Sequence, residues 1–170
     1  MTKVMSSNTG DGFPSGPNHK KRLLLVCSSG GHLLQLHTLH RALLGSYECV
    51  WVCFDKSDAR SILSTERSYW AYFPTNRHLG NFVRNTVLAW KILRRERPKC
   101  VISTGAGIAV PFMLVARMLR IRTVYIESFA RRIGLSLTGM LLYWLVDYFF
   151  VQSEKLVKKY PKAIFRGTVY

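Results

Sequence analysis

Acidic residues are scarce in this chain. Nine Asp and Glu stand against 25 Lys and Arg in 170 residues, a formal charge of +16. Such a surface is suited to anions, whether nucleic acid, acidic lipid headgroups or phosphorylated substrates, and charge alone does not choose among them. Cysteine is also sparse. Cys27, Cys49, Cys53 and Cys100 lie in apolar strand-like runs and lack the paired CxxC spacing of a zinc site. They read as buried free thiols in a reducing compartment. No cluster of His and Cys suggests a metal, so no metal or cofactor is expected. A GxGxxG dinucleotide fingerprint, a GxxxxGK[ST] phosphate loop and a GxSxG nucleophile elbow are all missing. No signal peptide and no internal repeat is visible. The longest apolar stretch, Ile133 to Val151, approaches the ~20 residues of a bilayer span. Asp147 and the run Ser136, Thr138, Gly139 interrupt it. A helix followed by a strand fits it better.

Residues 1–21 are rich in Ser, Gly, Asn and Pro with no apolar core, and read as a disordered leader. Residues 22–170 form one domain by size, with 48% hydrophobic residues over the whole chain. That domain opens with Leu23–His32, LLLVCSSGGH, an apolar run that gives way to a glycine turn and a histidine. An apolar helical pattern follows at once. A strand buried on both faces reads as a continuous apolar run and belongs to a parallel sheet with crossover helices. Glycines permit a tight turn, and the N-terminus of the next helix favours an anion.

Strands are expected at Glu48–Phe54, Tyr69–Phe73, Cys100–Ser103, Thr123–Ile126 and Tyr148–Gln152, with a last apolar segment at Ala163–Phe165. Helices are expected at Asp58–Thr65, Leu79–Arg97, from the second glycine turn (Ser103–Pro111) to Leu119, Leu135–Val146 and Ser153–Tyr160. Six strand-and-helix units make an α/β fold, a doubly wound parallel sheet of Rossmann type in the order 3-2-1-4-5-6. Ligands bind such sheets where strand order reverses, here between strands one and four. His32 and the pair Thr104-Gly105 should therefore face each other across one crevice, with Glu127 at its border.

Within Leu79–Arg97, Phe82, Val83, Thr86, Val87, Trp90 and Leu93 recur at helical spacing, and Arg84, Lys91, Arg94, Arg95 and Arg97 occupy the other face. This is either a solvated helix with its cations at the favourable end of the dipole, or an amphipathic helix lying on an anionic bilayer. On the second reading Arg84, Trp90, Arg94 and Arg95 are the membrane contacts. Glu127 reads either as a surface ion pair with Arg131 or Arg132 or as a site carboxylate.

SGGH after strand one, STGAG after strand four and YIES after strand five, in this order, resemble the N-terminal half of a GT-B glycosyltransferase. Within that class the chain is similar to the Alg14 family and its bacterial capsule and exopolysaccharide relatives, from Lys21 to the closing RGTVY. The resemblance implies a membrane-associated subunit of a two-component, UDP-sugar-dependent glycosyltransferase, active only with its partner. It implies an Alg13-like nucleotide-sugar-binding subunit carrying the donor site, and a lipid-pyrophosphate-linked sugar acceptor on this chain. Ser29, Gly30, Gly31, Thr104, Gly105, Gly107, Ser128 and Arg131 are then expected to contact substrate. His32 is the first choice of general base and Glu127 the second, although His32 could instead anchor phosphate. Eukaryotic members begin with a transmembrane helix. The lack of one here points to peripheral attachment at the cytoplasmic face of a membrane, a bacterial plasma membrane rather than the ER. A nucleic-acid-binding domain is the competing class, but the basic residues are not interleaved with exposed aromatics and no recognition motif appears. A self-sufficient sugar-nucleotide enzyme is the third reading.

Overall fold

The computed structural model describes residues 20–43, 45–75 and 78–169. Of the expected leader, residues 1–19 lie outside the described residues, and Lys21 already belongs to the first strand. Seven parallel strands form one sheet in the order β3-β2-β1-β4-β5-β6-β7. They are β1 (Lys21–Val26), β2 (Tyr47–Phe54), β3 (Ser68–Ala71), β4 (Cys100–Ser103), β5 (Arg122–Ile126), β6 (Tyr148–Val151) and β7 (Ala163–Phe165). The expected order holds, and the three-residue β7 adds a seventh strand by pairing Phe149 with Ala163 and Val151 with Phe165. The helices are α1 (Gly31–Leu43), α2 (Ser57–Ile62), α3 (Leu79–Glu96), α4 (Ala109–Met118), α5 (Leu137–Leu142) and α6 (Glu154–Lys159).

The chain moves one way from β1 to β3 and the other way from β4 to β7, so right-handed crossovers put α1 and α2 on one face and α3–α6 on the opposite one. Two cores result. Leu24, Val26, Val50, Val52 and Val101 pack against Ala89, Phe112 and Leu142. Leu25, Trp51, Cys53 and Ile102 pack against Leu33, Leu36 and Ala59. All four cysteines are free thiols; Cys27, Cys49 and Cys53 are buried, and Cys100 is half-buried.

α2 ends at Ile62 rather than Thr65, and two further helices differ more from the sequence pattern. α5 starts later because Ser136 caps it, accepting from the Gly139 N–H at 2.9 Å and holding residue 135 outside the helix, and it ends at Leu142 rather than Val146. α3 turns an unexpected face inward. Its buried residues include Asn81, Asn85 and Glu96, while Leu79, Val83, Val87 and Trp90 are exposed. The inward polar groups are met by distant parts of the chain, although Oε2 of Glu96 has an ion-pair partner and no hydrogen bond. Asn85 accepts from the Tyr72 N–H at 2.9 Å and donates to the Tyr72 carbonyl at 3.0 Å, closing a backbone edge that no strand pairs. Asn81 donates to the Pro74 carbonyl at 2.8 Å. Glu96 meets Arg67 at 2.7 Å and Arg22 at 3.1 Å, and accepts from the Tyr69 hydroxyl. These contacts fix the rotation of α3 and push its aliphatic stripe to the outside.

Candidate functional site

Where strand order reverses, the carboxyl ends of the strands enclose a cavity of about 570 Å3. Ser28, Ser29 and His32 line it from the turn after β1, and Ala106 and Gly107 from the turn after β4. Phe54 and Lys56 close one side beyond β2, with Phe73 and Thr75 beyond β3. Ser128, Ala130, Arg131 and Ser136 from the loop after β5, with Leu137 and Thr138 of α5, close the other side. Among the described residues no carboxylate lines the cavity.

The two glycine turns are joined as the topology requires. Nδ1 of His32 lies 2.8 Å from the Thr104 carbonyl oxygen, and the Thr104 hydroxyl donates to the His32 carbonyl at 2.8 Å. A carbonyl only accepts, so in the neutral ring Nδ1 carries the proton and Nε2 the lone pair. Burial pulls the His32 pKa below its ordinary value, opposed by the Thr104 carbonyl and by the charge of Glu127. The result is a neutral imidazole of fixed tautomer on the cavity wall.

Gly105 makes this contact possible. Its φ is +122°, and a Cβ there would sit 2.9 Å from Cε1 of His32 and 3.2 Å from the Tyr125 hydroxyl. Gly107 lets the same turn approach the loop after β3, since a Cβ would lie 2.9 Å from Oγ1 of Thr75. The first glycine pair behaves differently. Gly30 takes a φ of +78°, but its N–H donates to Asp58 at 2.7 Å, so that amide already serves a carboxylate of the chain. Gly30 and Gly31 are exposed and stand outside the cavity lining, whereas Ser29 is part of it.

Glu127 is buried at 1% exposure and forms neither of the expected ion pairs. Oε1 accepts from the Ser128 N–H at 2.9 Å, and Oε2 accepts from the Ser136 N–H at 2.9 Å and its hydroxyl at 3.0 Å. Its backbone carbonyl accepts from Gln152 at 2.9 Å. The carboxylate therefore pins both ends of the loop that carries Ser128 and Arg131. It is absent from the cavity wall and fits the role of a positioning residue. Gly139 leaves it room, because a Cβ there would overlap Oε2 at 2.1 Å.

Lys56, Phe73, Thr75, Ser136, Leu137 and Thr138 line the cavity without having been singled out in the sequence. Lys56 follows the carboxyl end of β2, so the strand-end rule that selected Glu127 could have found it. Arg84, Trp90, Arg94 and Arg95 lie on α3, away from the cavity, and all are exposed. Arg94 stacks over the Trp90 ring at 5.3 Å. Among the described residues no group of His, Cys, Asp and Glu could hold a metal ion.

A family model described as "Oligosaccharide biosynthesis protein Alg14 like" matches residues 23–169. A protein named UDP-N-acetylglucosamine transferase subunit ALG14 from Rattus norvegicus is 29% identical over 186 residues, 92% of this chain and 86% of the relative. The protein of that name from Yarrowia lipolytica is 28% identical, covering 96% and 88%. Among solved structures, MurG of Acinetobacter baumannii superposes with a TM-score of 0.74 at 14% identity, over 88% of this chain and 46% of MurG. MnaA of Staphylococcus aureus, solved with UDP, gives 0.71 at 13% identity, over 88% of this chain and 45% of MnaA. The chain thus spans about half the length of these structures, and at such identity the likeness is one of fold: one Rossmann-like half of a GT-B architecture.

Proposed function

The chain belongs to the Alg14 family of oligosaccharide biosynthesis proteins, and from that premise we propose that it is the acceptor-side subunit of a two-component glycosyltransferase. Its relatives are named as subunits of a UDP-N-acetylglucosamine transferase. The matching donor half, an Alg13-like nucleotide-sugar-binding partner, then faces the strand-end cavity, and the acceptor is a sugar on a lipid diphosphate. One observation carries this reading. A neutral histidine of fixed tautomer stands in a cavity lined, among the described residues, by cations and hydroxyls and by no carboxylate.

The chemistry is a substitution at the anomeric carbon. The acceptor hydroxyl forms the new glycosidic bond, the bond to the nucleotide diphosphate breaks, and the hydroxyl proton passes to Nε2 of His32. The Thr104 carbonyl stabilises the resulting imidazolium through Nδ1–H, and Glu127 adds a favourable charge nearby. A depressed pKa keeps His32 unprotonated at neutral pH, as a base must be. The hydroxyls of Ser29, Ser128 and Thr138 are suited to hold the sugar.

Partner docking is supported by a groove of about 560 Å3 on the sheet face that α1 and α2 leave uncovered. Leu39, Leu43, Ile102, Val124 and Phe150 line it beside residues 166–169. Unfilled apolar surface of this kind is what a protein partner covers. Peripheral attachment is supported by α3, whose outer face sets Leu79, Val83, Val87 and Trp90 beside Arg84, Lys91, Arg94 and Arg95. Among the described residues no helix is long and apolar enough to cross a membrane. The reading requires the cytoplasmic leaflet and does not depend on whether the membrane is a bacterial plasma membrane or the ER. It is tested by transfer of N-acetylglucosamine from UDP-N-acetylglucosamine with the partner present: His32→Ala should abolish transfer while the pair stays assembled.

A further inference from the structure

Among the described residues the cavity lining holds two cations, and neither is neutralised. Lys56 lines it from beyond β2 and Arg131 from beyond β5. The carboxylates nearest to them in sequence are engaged elsewhere. Asp55 pairs with Arg60, which donates to Oδ2 at 2.8 Å, and Glu127 is taken up by Ser128 and Ser136. Among the described residues neither cation forms an ion pair. Lys56 only rests over the Phe73 ring at 4.5 Å.

Their placement distinguishes one anion from another. In the strand order, β1 and β4 stand between β2 and β5. Their ends are therefore about 14 Å apart at the usual strand spacing, and long side chains approach the middle from both sides. A monophosphate can satisfy one of them. A diphosphate offers separate oxygens to both, taking the Arg fork in a bidentate contact and the Lys as a point charge. We propose that Lys56 and Arg131 are a two-sided clamp for the diphosphate of the acceptor, setting its sugar hydroxyl against His32. This rests on the acceptor-side reading above and adds to it the residues that select a diphosphate. Both are positioning residues, since neither takes part in bond making.

The test is calorimetric titration of the full chain with inorganic pyrophosphate, inorganic phosphate, farnesyl diphosphate and UDP. Pyrophosphate is expected to bind roughly tenfold tighter than phosphate, and Lys56→Met or Arg131→Met to remove that preference. Lys56→Arg should restore it, and Lys158→Met, on α6 away from the cavity, should leave it unchanged. Farnesyl diphosphate should follow pyrophosphate in depending on both cations, whether or not UDP does. Equal binding of pyrophosphate and phosphate, Met variants that match wild type, or dependence confined to UDP would each overturn the clamp. In the assembled pair, loss of transfer in His32→Ala with an unchanged acceptor KM in Lys56→Met also overturns the clamp and leaves the subunit reading standing. Clamp-dependent pyrophosphate binding with no sugar transfer does the reverse.

Discussion

Replacing Gly105 with alanine tests the geometry on which the site depends. The residue holds a φ of +122°, and the new Cβ would lie 2.9 Å from Cε1 of His32. The backbone conformation alone costs a non-glycine residue about 1–3 kcal/mol. Relieving the overlap moves the imidazole off the Thr104 carbonyl, and a buried acceptor left unpaired costs about 1 kcal/mol or more. Together these give roughly 2–4 kcal/mol, or a fall in Tm of roughly 5–15 °C for a chain of this length. Gly134→Ala is the matched control, since nothing lies within 4 Å of a Cβ there and its φ is ordinary; it should stay within about 0.5 kcal/mol of wild type. Urea unfolding reads the stability, and nitrogen chemical shifts of the His32 ring read the tautomer. If Gly105→Ala unfolds with wild type and keeps Nδ1 protonated, the glycine is not what positions His32 and the reasoning fails.

Asn85→Ala strands both the Tyr72 N–H and its carbonyl; a loss of about 2–4 kcal/mol in urea unfolding is expected, and a loss below about 0.5 kcal/mol would show that Asn85 does not set the rotation of α3. Burial lowers the pKa of His32, so below pH 6.5 the unfolded chain binds the extra proton first and stability falls as pH drops. Between pH 7 and pH 5, His32→Gln should therefore lose less stability than wild type, and equal losses would contradict the burial of a neutral ring. Charge reversal at Arg94 and Arg95 should weaken sedimentation of the chain with anionic vesicles by about 1 kcal/mol or more per residue. Unchanged sedimentation would remove α3 as the contact.

Much of this was readable from residues. Leu23–Val26 and Val101–Ile102 are buried on both faces, so their unbroken apolar runs announced central parallel strands and with them the switch point. The contact of His32 with Thr104 followed from topology, because adjacent strand ends carry both turns. β7 was less visible, since three residues give no period, and pairing with β6 rather than propensity defines it. The inner face of α3 was hidden for a different reason. Asn85 and Glu96 look solvent-seeking until Tyr72, Arg22 and Arg67 are brought to them by distant parts of the chain. Glu127 shows the same limit: its place after β5 was legible, but the hydrogen bonds that divert it to the loop were not. The residues around Lys56 form no motif that marks it as a site residue.

In the proposed function this chain supplies the acceptor side and the base of a split glycosyltransferase. The most direct measurement is single-turnover transfer of labelled N-acetylglucosamine from UDP-N-acetylglucosamine to a short-chain polyprenyl-diphosphate sugar, with the purified partner and either wild-type chain or His32→Ala. Transfer is expected only when both subunits are present, with a rate at least about 100-fold lower in the variant pair at equal assembly. Transfer by the variant pair at the wild-type rate would contradict it.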